Sequence, residues 1–81
     1  PLMDSRLYLL NDNVHSFDEV VHVLQRYLGY PSSQGASIAD IVHRKGECEI
    51  KIGEFADLEF LKEMLIKEGY NLRLENDYEG Y

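Results

Sequence analysis

The chain has 81 residues, of which 44% are hydrophobic and 28% charged, and this length and composition suit a single domain with one core. Its formal net charge of -7 argues against nucleic acid and anionic membranes as partners, because phosphate is bound mainly through Lys and Arg. A single cysteine rules out an internal disulfide. No apolar run approaches the ~20 residues of a membrane-spanning helix. We expect a monomer of the cytoplasm, or of an organelle stroma if a transit peptide was removed.

The first part of the chain predicts a strand followed by a capped helix. Residues 6–10 are short and apolar, which is typical of a mostly buried strand. Ser16 and Glu19 have the spacing of a capping box and predict the start of a helix, which Gly29 would end. The predicted buried face of this helix consists of Phe17, Val20, Val21, Leu24 and Leu28.

A second helix and a second strand follow. Pro31 and the serines after it predict the start of the helix and Gly46 predicts its end, although Gly35 lies inside it. Residues 47–52 then alternate charged and apolar side chains, which predicts a strand with one wet face and one dry face. The dry face would carry Cys48, Ile50 and Ile52.

The end of the chain completes a small α+β domain. Residues 55–68 form a third amphipathic helical pattern, and residues 70–75 alternate again as a last strand. The order β-α-α-β-α-β predicts a single two-layer domain in which three helices pack on one side of a three-stranded antiparallel sheet. We expect this core to span residues 6–75. Residues 1–5 would be a flexible N-terminus that carries a tag scar, and residues 76–81 an acidic flexible tail.

The most informative polar pair is Asn11 and Asp12, at the end of the first predicted strand. Two oxygen-bearing side chains held at a strand end can point at one position and accept hydrogen bonds from one cation, such as an ammonium group. The same residues more commonly cap turns. His43, in the last turn of the second helix, interacts favourably with the helix dipole, and only the fold can bring it to Asn11.

The titratable residues also raise two kinds of chemistry that the spacing disfavours. His15, His22 and His43 show no compact ligand spacing with Cys48 or with a carboxylate, so we expect no metal and no cofactor. Cys48 and His43 could be considered a nucleophile and its base, but a thiol on the same strand face as Ile50 is typical of an inert core cysteine. A small thiol or metal hydrolase is therefore a remote alternative, and we expect a protein that is not an enzyme.

Several motifs of this chain occur together in a known family. The residues that form them are Asn11, Asp12, Asn13, Phe17, Val20, Val21, Leu24, Gln25, Ile41, Val42, His43, Gly46, Gly53, Glu54 and Phe55. Together they resemble ClpS, the adaptor of the bacterial Clp protease, from about residue 8 to residue 74. The last three, with the helix that follows, also resemble the ClpS-like domains of eukaryotic ubiquitin ligases that read N-termini.

This resemblance implies an adaptor that binds substrates by a bulky apolar N-terminal residue (an N-degron that begins with Leu, Phe, Tyr or Trp). The adaptor would deliver them to a Clp AAA+ unfoldase of the ClpA or ClpC type. By position, Asn11, Asp12 and His43 would bind the free α-amino group, and Asn13 and His15 would lie at the rim. The apolar pocket for the side chain would be lined by Leu9, Phe17, Val20, Ala39, Val42 and Leu72.

Two departures from the family pattern lead to further hypotheses. Ala39 stands where many ClpS proteins carry Met, a side chain that gates the pocket against β-branched residues, so we expect relaxed selectivity with Trp or Ile better tolerated. The connection after Ile52 is shorter than in bacterial members, in which that stretch meets the unfoldase. An alternative function is therefore a regulatory or interaction domain of the same fold that binds a chaperone or ligase partner without reading N-termini.

Overall fold

Three helices cover one face of a three-stranded sheet. The computed structural model describes residues 4–76. Its elements are β1 (Ser5–Leu10), α1 (Phe17–Leu28), α2 (Ser32–Lys45), β2 (Glu47–Gly53), α3 (Phe55–Lys67) and β3 (Asn71–Asn76). The strand order is β2-β1-β3, and both outer strands pair with β1 in the antiparallel direction. The predicted α+β class and element order are therefore confirmed.

The sheet reaches slightly further than predicted at both ends of the chain. β1 begins at Ser5 and β3 ends at Asn76, each one residue outside the predicted core of residues 6–75. The Ser5 side chain is buried, and its hydroxyl donates to Asn76 Oδ1, so the two strand ends are joined. Residues 1–3 and 77–81 of the predicted terminal segments lie outside the described residues.

The core lies between the sheet and the helices. Because alternate residues of a strand point to opposite faces, Leu7 and Leu9 of the central strand both point to the helices, and both are fully buried. The buried apolar side chains are Leu7, Leu9, Val20, Val23, Leu24, Ile38, Ala39, Val42, Ile50, Leu58, Leu65 and Tyr70. Between residues 4 and 76, no helix is long and apolar enough to cross a membrane.

Local signals fix the start of α1, and a glycine lets α2 approach it. The N–H of Glu19 donates to Ser16 Oγ, and the N–H of Ser16 donates to the Glu19 carboxylate at 2.7 Å, which is the predicted capping box. Gly35 is buried in α2, and a Cβ atom there would lie 3.2 Å from Cγ1 of Val21 in α1. The glycine that interrupts the helical pattern in the sequence therefore allows close packing of the two helices.

A β-bulge interrupts the pairing between β1 and β2. Leu7 lies opposite Lys51, but its neighbour Tyr8 lies opposite Glu49. Ile50 is therefore an extra residue on β2, and it is buried. An extra residue of this kind reverses the side-chain alternation beyond it and increases the local twist.

The bulge explains why one prediction for β2 is wrong. Ile52 was predicted to share the dry face with Cys48 and Ile50, but it lies opposite Arg6 and is 48% exposed. The reversed alternation turns its side chain to the outer face of the sheet. The hydroxyl of Tyr30, in the connection between α1 and α2, donates to the carbonyl of Ile50. This hydrogen bond holds the bulged residue in place.

α3 and the turn after it complete the core. Leu58 and Leu65 are buried, whereas Phe55, at the start of the predicted amphipathic pattern, is 38% exposed because it is the first residue of the helix. The chain leaves α3 through Gly69, whose φ of 94° is favourable only for glycine. Tyr70 follows it and is buried, and its N–H donates to the carbonyl of Leu65.

Candidate functional site

The end of β1 and the end of α2 meet at Asn11. The N–H of Asn11 donates to the carbonyl of Gly46 at 2.8 Å, and the N–H of Gly46 donates to the carbonyl of Val42 as α2 ends. Gly46 has a φ of 92°, so a glycine is favoured at this junction. The junction brings Asn11 Oδ1 to 3.4 Å from Nδ1 of His43, although the two residues are 32 positions apart.

This pair forms an exposed cluster of hydrogen-bonding atoms. Both Asn11 and His43 are exposed. The amide oxygen of Asn11 accepts hydrogen bonds, and Nδ1 of a neutral histidine accepts them when the proton is on the other ring nitrogen. When Nδ1 carries the proton, the 3.4 Å contact is a hydrogen bond in which His43 donates to Asn11 Oδ1. When the proton is on Nε2, both atoms are acceptors, and they lie close enough for one ammonium group, which has three N–H donors, to bind both.

Asp12 faces the loop between β1 and α1 (residues 11–16, the β1–α1 loop) rather than Asn11. Its Oδ1 accepts the N–H of Val14 at 2.9 Å and the N–H of His15 at 2.8 Å, and its Oδ2 lies 2.9 Å from Nδ1 of His15. Only 11% of the Asp12 side chain is exposed. The carboxylate therefore acts as the cap of a turn, which is the more common use of this residue type.

The same contacts shift the ionisation of Asp12. Burial favours the uncharged acid, but the hydrogen bonds from His15 and Val14 outweigh it and lower the pKa of this carboxyl below its ordinary value. Asp12 is therefore ionised at neutral pH. Because an ionised carboxylate can only accept hydrogen bonds, Nδ1 of His15 must donate to it.

The pH dependence of stability tests this assignment. Because the pKa of Asp12 is lower in the folded chain than the ordinary 3.8, its contribution to the free energy of unfolding is fully present above that value. The contribution is lost as the pH falls through the lower, folded value. We expect Asp12→Asn to be destabilised at neutral pH and the difference from the natural chain to shrink under acid conditions. Urea denaturation across this range measures it, and a difference independent of pH would contradict the assignment.

His15, predicted at the rim of the site, is held inside the loop. Its ring stacks on the ring of Tyr70 with centroids 3.8 Å apart and planes 16° from parallel, and 13% of its side chain is exposed. The Tyr70 hydroxyl donates to the carbonyl of Glu19 at 3.1 Å. Burial and the nearby carboxylates of Glu19, Asp12 and Glu68 raise the pKa of Tyr70 to about 12, so this phenol is neutral. Asn13, the other predicted rim residue, is exposed.

One of the predicted pocket residues, Phe17, lies next to His43. The Phe17 ring is 6.1 Å from the His43 ring and is 38% exposed. Its predicted place on the buried face of α1 is thus wrong, because the first helical residue lies at the surface, and Val23 is buried instead. The remaining predicted pocket residues are the buried Leu9, Val20, Ala39 and Val42 and the half-buried Leu72. Ala39 is one turn before His43 on α2.

A cavity of about 250 Å³ lies on another flank of α1 and was not predicted from the sequence. Its lining includes His15, Glu19, His22, Arg26 and Tyr70. The first four of these residues, at positions 15, 19, 22 and 26, recur at helical spacing in the sequence. That spacing is also the pattern of an ordinary solvated helix face. This recurrence was the only hint of the cavity in the sequence. It was insufficient because Tyr70, which forms another wall of the cavity, comes from a distant part of the chain.

The residues considered for metal or thiol chemistry are placed as follows. Among residues 4–76, no three His, Cys, Asp or Glu side chains form a group that could hold a metal ion. Cys48 is half-buried, and burial together with the nearby Glu49 raises the pKa of its thiol. A raised pKa keeps a cysteine protonated and weakly nucleophilic.

The sequence is similar to parts of two much longer ubiquitin ligases. It is 37% identical over 49 residues, or 60% of this chain, to the E3 ubiquitin-protein ligase ubr-1 of Caenorhabditis elegans. It is 27% identical over 59 residues, or 73% of this chain, to the human E3 ubiquitin-protein ligase UBR2. The chain spans only 2% and 3% of the length of these relatives.

The fold and the family agree. The structure of Agrobacterium tumefaciens ClpS2 bound to L-phenylalaninamide superimposes with a TM-score of 0.77, covering 93% of this chain and 98% of that one at 17% sequence identity, and it therefore shares the fold. The family described as ATP-dependent Clp protease adaptor protein ClpS matches residues 4–75. With nearly the whole chain matched, this protein belongs to the ClpS family.

Proposed function

We propose that this domain is an adaptor that binds proteins whose N-terminal residue is Leu, Phe, Tyr or Trp and delivers them for degradation. The observation that carries the proposal is the exposed pair of Asn11 Oδ1 and His43 Nδ1, 3.4 Å apart beside the Phe17 ring. The relative bound to L-phenylalaninamide supports this class of ligand, because that compound presents a free α-amino group next to a phenylalanine side chain.

The amine site fits the chemistry of a free N-terminus. An α-amino group has a pKa of about 7.7 to 8.0 and is mostly charged at neutral pH. In the proposal, Asn11 and His43 accept two of its three N–H donors, and each such bond to a charged group contributes about 1.5 to 3 kcal/mol. Asp12 adds favourable negative charge from within the β1–α1 loop. Acetylation removes both the charge and two of the donors.

The apolar residues supply the second part of the affinity. Burying a Leu or Phe side chain stabilises a complex by about 1.5 to 3 kcal/mol. Phe17 offers exposed apolar surface beside His43, and Val20, Ala39 and Val42 are buried residues of α1 and α2 that the proposal places in the same pocket. Added to the hydrogen bonds and reduced by the entropy lost on association, these contributions allow a Kd no tighter than about 1 μM, which corresponds to about 8 kcal/mol.

Delivery requires a second partner. The family description names the ATP-dependent Clp protease, which supports a Clp AAA+ unfoldase of the ClpA or ClpC type. A short connection between β2 and α3, where only Glu54 separates Gly53 from Phe55, favours a second candidate function, in which the domain binds a chaperone or ligase partner without reading N-termini. Binding of a free N-terminus separates these two functions.

The test is fluorescence anisotropy with three labelled peptides that differ only at the first residue. One begins with free Phe, one with N-acetylated Phe and one with free Ala. We expect the free Phe peptide to bind with a Kd of about 1 to 10 μM and the other two to bind far more weakly. If the free Phe peptide fails to bind at tens of micromolar, the second candidate becomes the function.

A further inference from the structure

The β1–α1 loop carries Asn11, and its two ends are fixed by separate contacts. At one end, the N–H of Asn11 donates to the Gly46 carbonyl. At the other end, Ser16 starts α1 through its capping box. Between these anchors Asn13 and Val14 are exposed, the latter by 81%. The middle of the loop is therefore shaped by the contacts of its two less exposed residues.

Those two residues are Asp12 and His15, and they are hydrogen-bonded to each other. The Asp12 carboxylate accepts the N–H of Val14, the N–H of His15 and the ring Nδ1–H of His15, all within 2.9 Å. Both carboxylate oxygens of Asp12 are therefore bonded within the β1–α1 loop. A rigid turn at residues 12–15 limits the positions that the Asn11 side chain can adopt.

His15 is itself fixed from outside the loop. One face of its ring lies on Tyr70 at 3.8 Å. Its Cε1 and Nε2 edge faces Gly69, where a Cβ atom would come within 3.4 Å of Cε1. Tyr70 is in turn held by hydrogen bonds to the carbonyls of Leu65 and Glu19. The ring therefore connects the β1–α1 loop to the turn that leads into β3.

We propose that His15 is a positioning residue for the amine site. By donating to Asp12 through Nδ1 and stacking on Tyr70, it holds the β1–α1 loop so that Asn11 Oδ1 stays beside Nδ1 of His43. The inference rests on the proposed function for its effect on ligand binding. It assigns His15 to the support of Asn11, and the ligand contacts Asn11 and His43 rather than His15.

A pair of amide substitutions tests the positioning role. The side-chain amide of His15→Asn lies near the position of Nδ1 and can still donate to Asp12, whereas that of His15→Gln lies near Nε2 and cannot. We expect His15→Gln and His15→Ala to bind the free Phe peptide about tenfold more weakly than the natural chain, and His15→Asn to recover at least half of that loss on a logarithmic scale. His22→Ala, an exposed histidine on the same side of α1, should bind like the natural chain.

Urea denaturation shows whether each variant is folded. If His15→Ala is unfolded, the comparison of His15→Asn with His15→Gln decides the test. Equal binding by folded His15→Asn and His15→Gln would overturn the proposal. A second measurement does not depend on peptide binding: ¹⁵N NMR of the neutral His15 ring should show the proton on Nδ1, and amide exchange at Val14 and His15 should accelerate in His15→Gln. A proton on Nε2 would overturn the positioning role even if peptides bind. If the proton is on Nδ1 but no peptide binds, the hydrogen bond from His15 to Asp12 is supported and the proposed function is overturned.

Discussion

The double variant Asn11→Ala/His43→Ala should bind a peptide with a free N-terminal Phe at least about 100-fold more weakly than the natural chain. Two hydrogen bonds to a charged amine are lost, and at about 1.5 kcal/mol each they account for roughly 3 kcal/mol, or about two orders of magnitude in Kd. Both side chains are exposed, so the free energy of unfolding should change little, by about 0.5 kcal/mol or less. Anisotropy and urea denaturation measure the two effects separately.

Lys45→Ala is the matched control for this variant. Lys45 is exposed in the same last turn of α2 as His43, so its replacement disturbs the helix end to a similar extent without touching the amine site. Full affinity in the folded double variant would show that the free N-terminus is bound elsewhere. Equal weakening by Lys45→Ala would indicate that the charge or stability of this helix end matters, rather than the pair.

Ala39→Met should restrict the first residue that the domain accepts. Ala39 is 1% exposed and lies one turn before His43 on α2, so a longer side chain there would fill space in the proposed pocket. We expect the natural chain to bind Ile-initiated and Phe-initiated peptides with Kd values within about threefold of each other. In Ala39→Met, binding of the Ile peptide should weaken by about tenfold relative to the Phe peptide, or roughly 1.4 kcal/mol. Competition anisotropy with the two unlabelled peptides measures the ratio.

The ratio is the useful quantity because a larger side chain in a packed core also lowers stability, by about 1 to 3 kcal/mol. Ala36→Met, at a half-buried position on the same helix, controls for the effect of introducing methionine. It should leave the ratio of the two Kd values unchanged. Equal rejection of the Ile peptide by the natural chain and by Ala39→Met would show that Ala39 does not set the selectivity.

Much of the fold could be predicted because its signals are local. The capping box of Ser16 and Glu19, and the glycines that end helices at Gly29 and Gly46, depend on contacts within a few residues. The bulge at Ile50 could not be predicted from the regular alternation of β2. It arises from the register between two strands and from a hydroxyl donated by a distant Tyr30, and neither is visible in a short window of sequence.

The candidate site was only partly predictable for the same reason. Asn11 and His43 were proposed together through the family resemblance, while the hydrogen bond from Asn11 to Gly46 that brings them together depends on the tertiary fold. The inward orientation of Asp12 follows from local turn geometry, and the sequence allowed it as an alternative. The stacking of His15 on Tyr70 joins opposite ends of the chain, and no local pattern indicated it.

The bulge on β2 also affects how copies of this chain meet one another. Within residues 4–76, β2 is an outer strand, so one of its edges has no neighbouring strand and could pair with another sheet. The extra residue at Ile50 breaks the regular spacing of that row and adds twist, and Lys51 places an exposed charge beside the break. This irregular edge is a poorer template for a straight strand from a second molecule than a regular edge would be, so the bulge disfavours edge-to-edge pairing through β2.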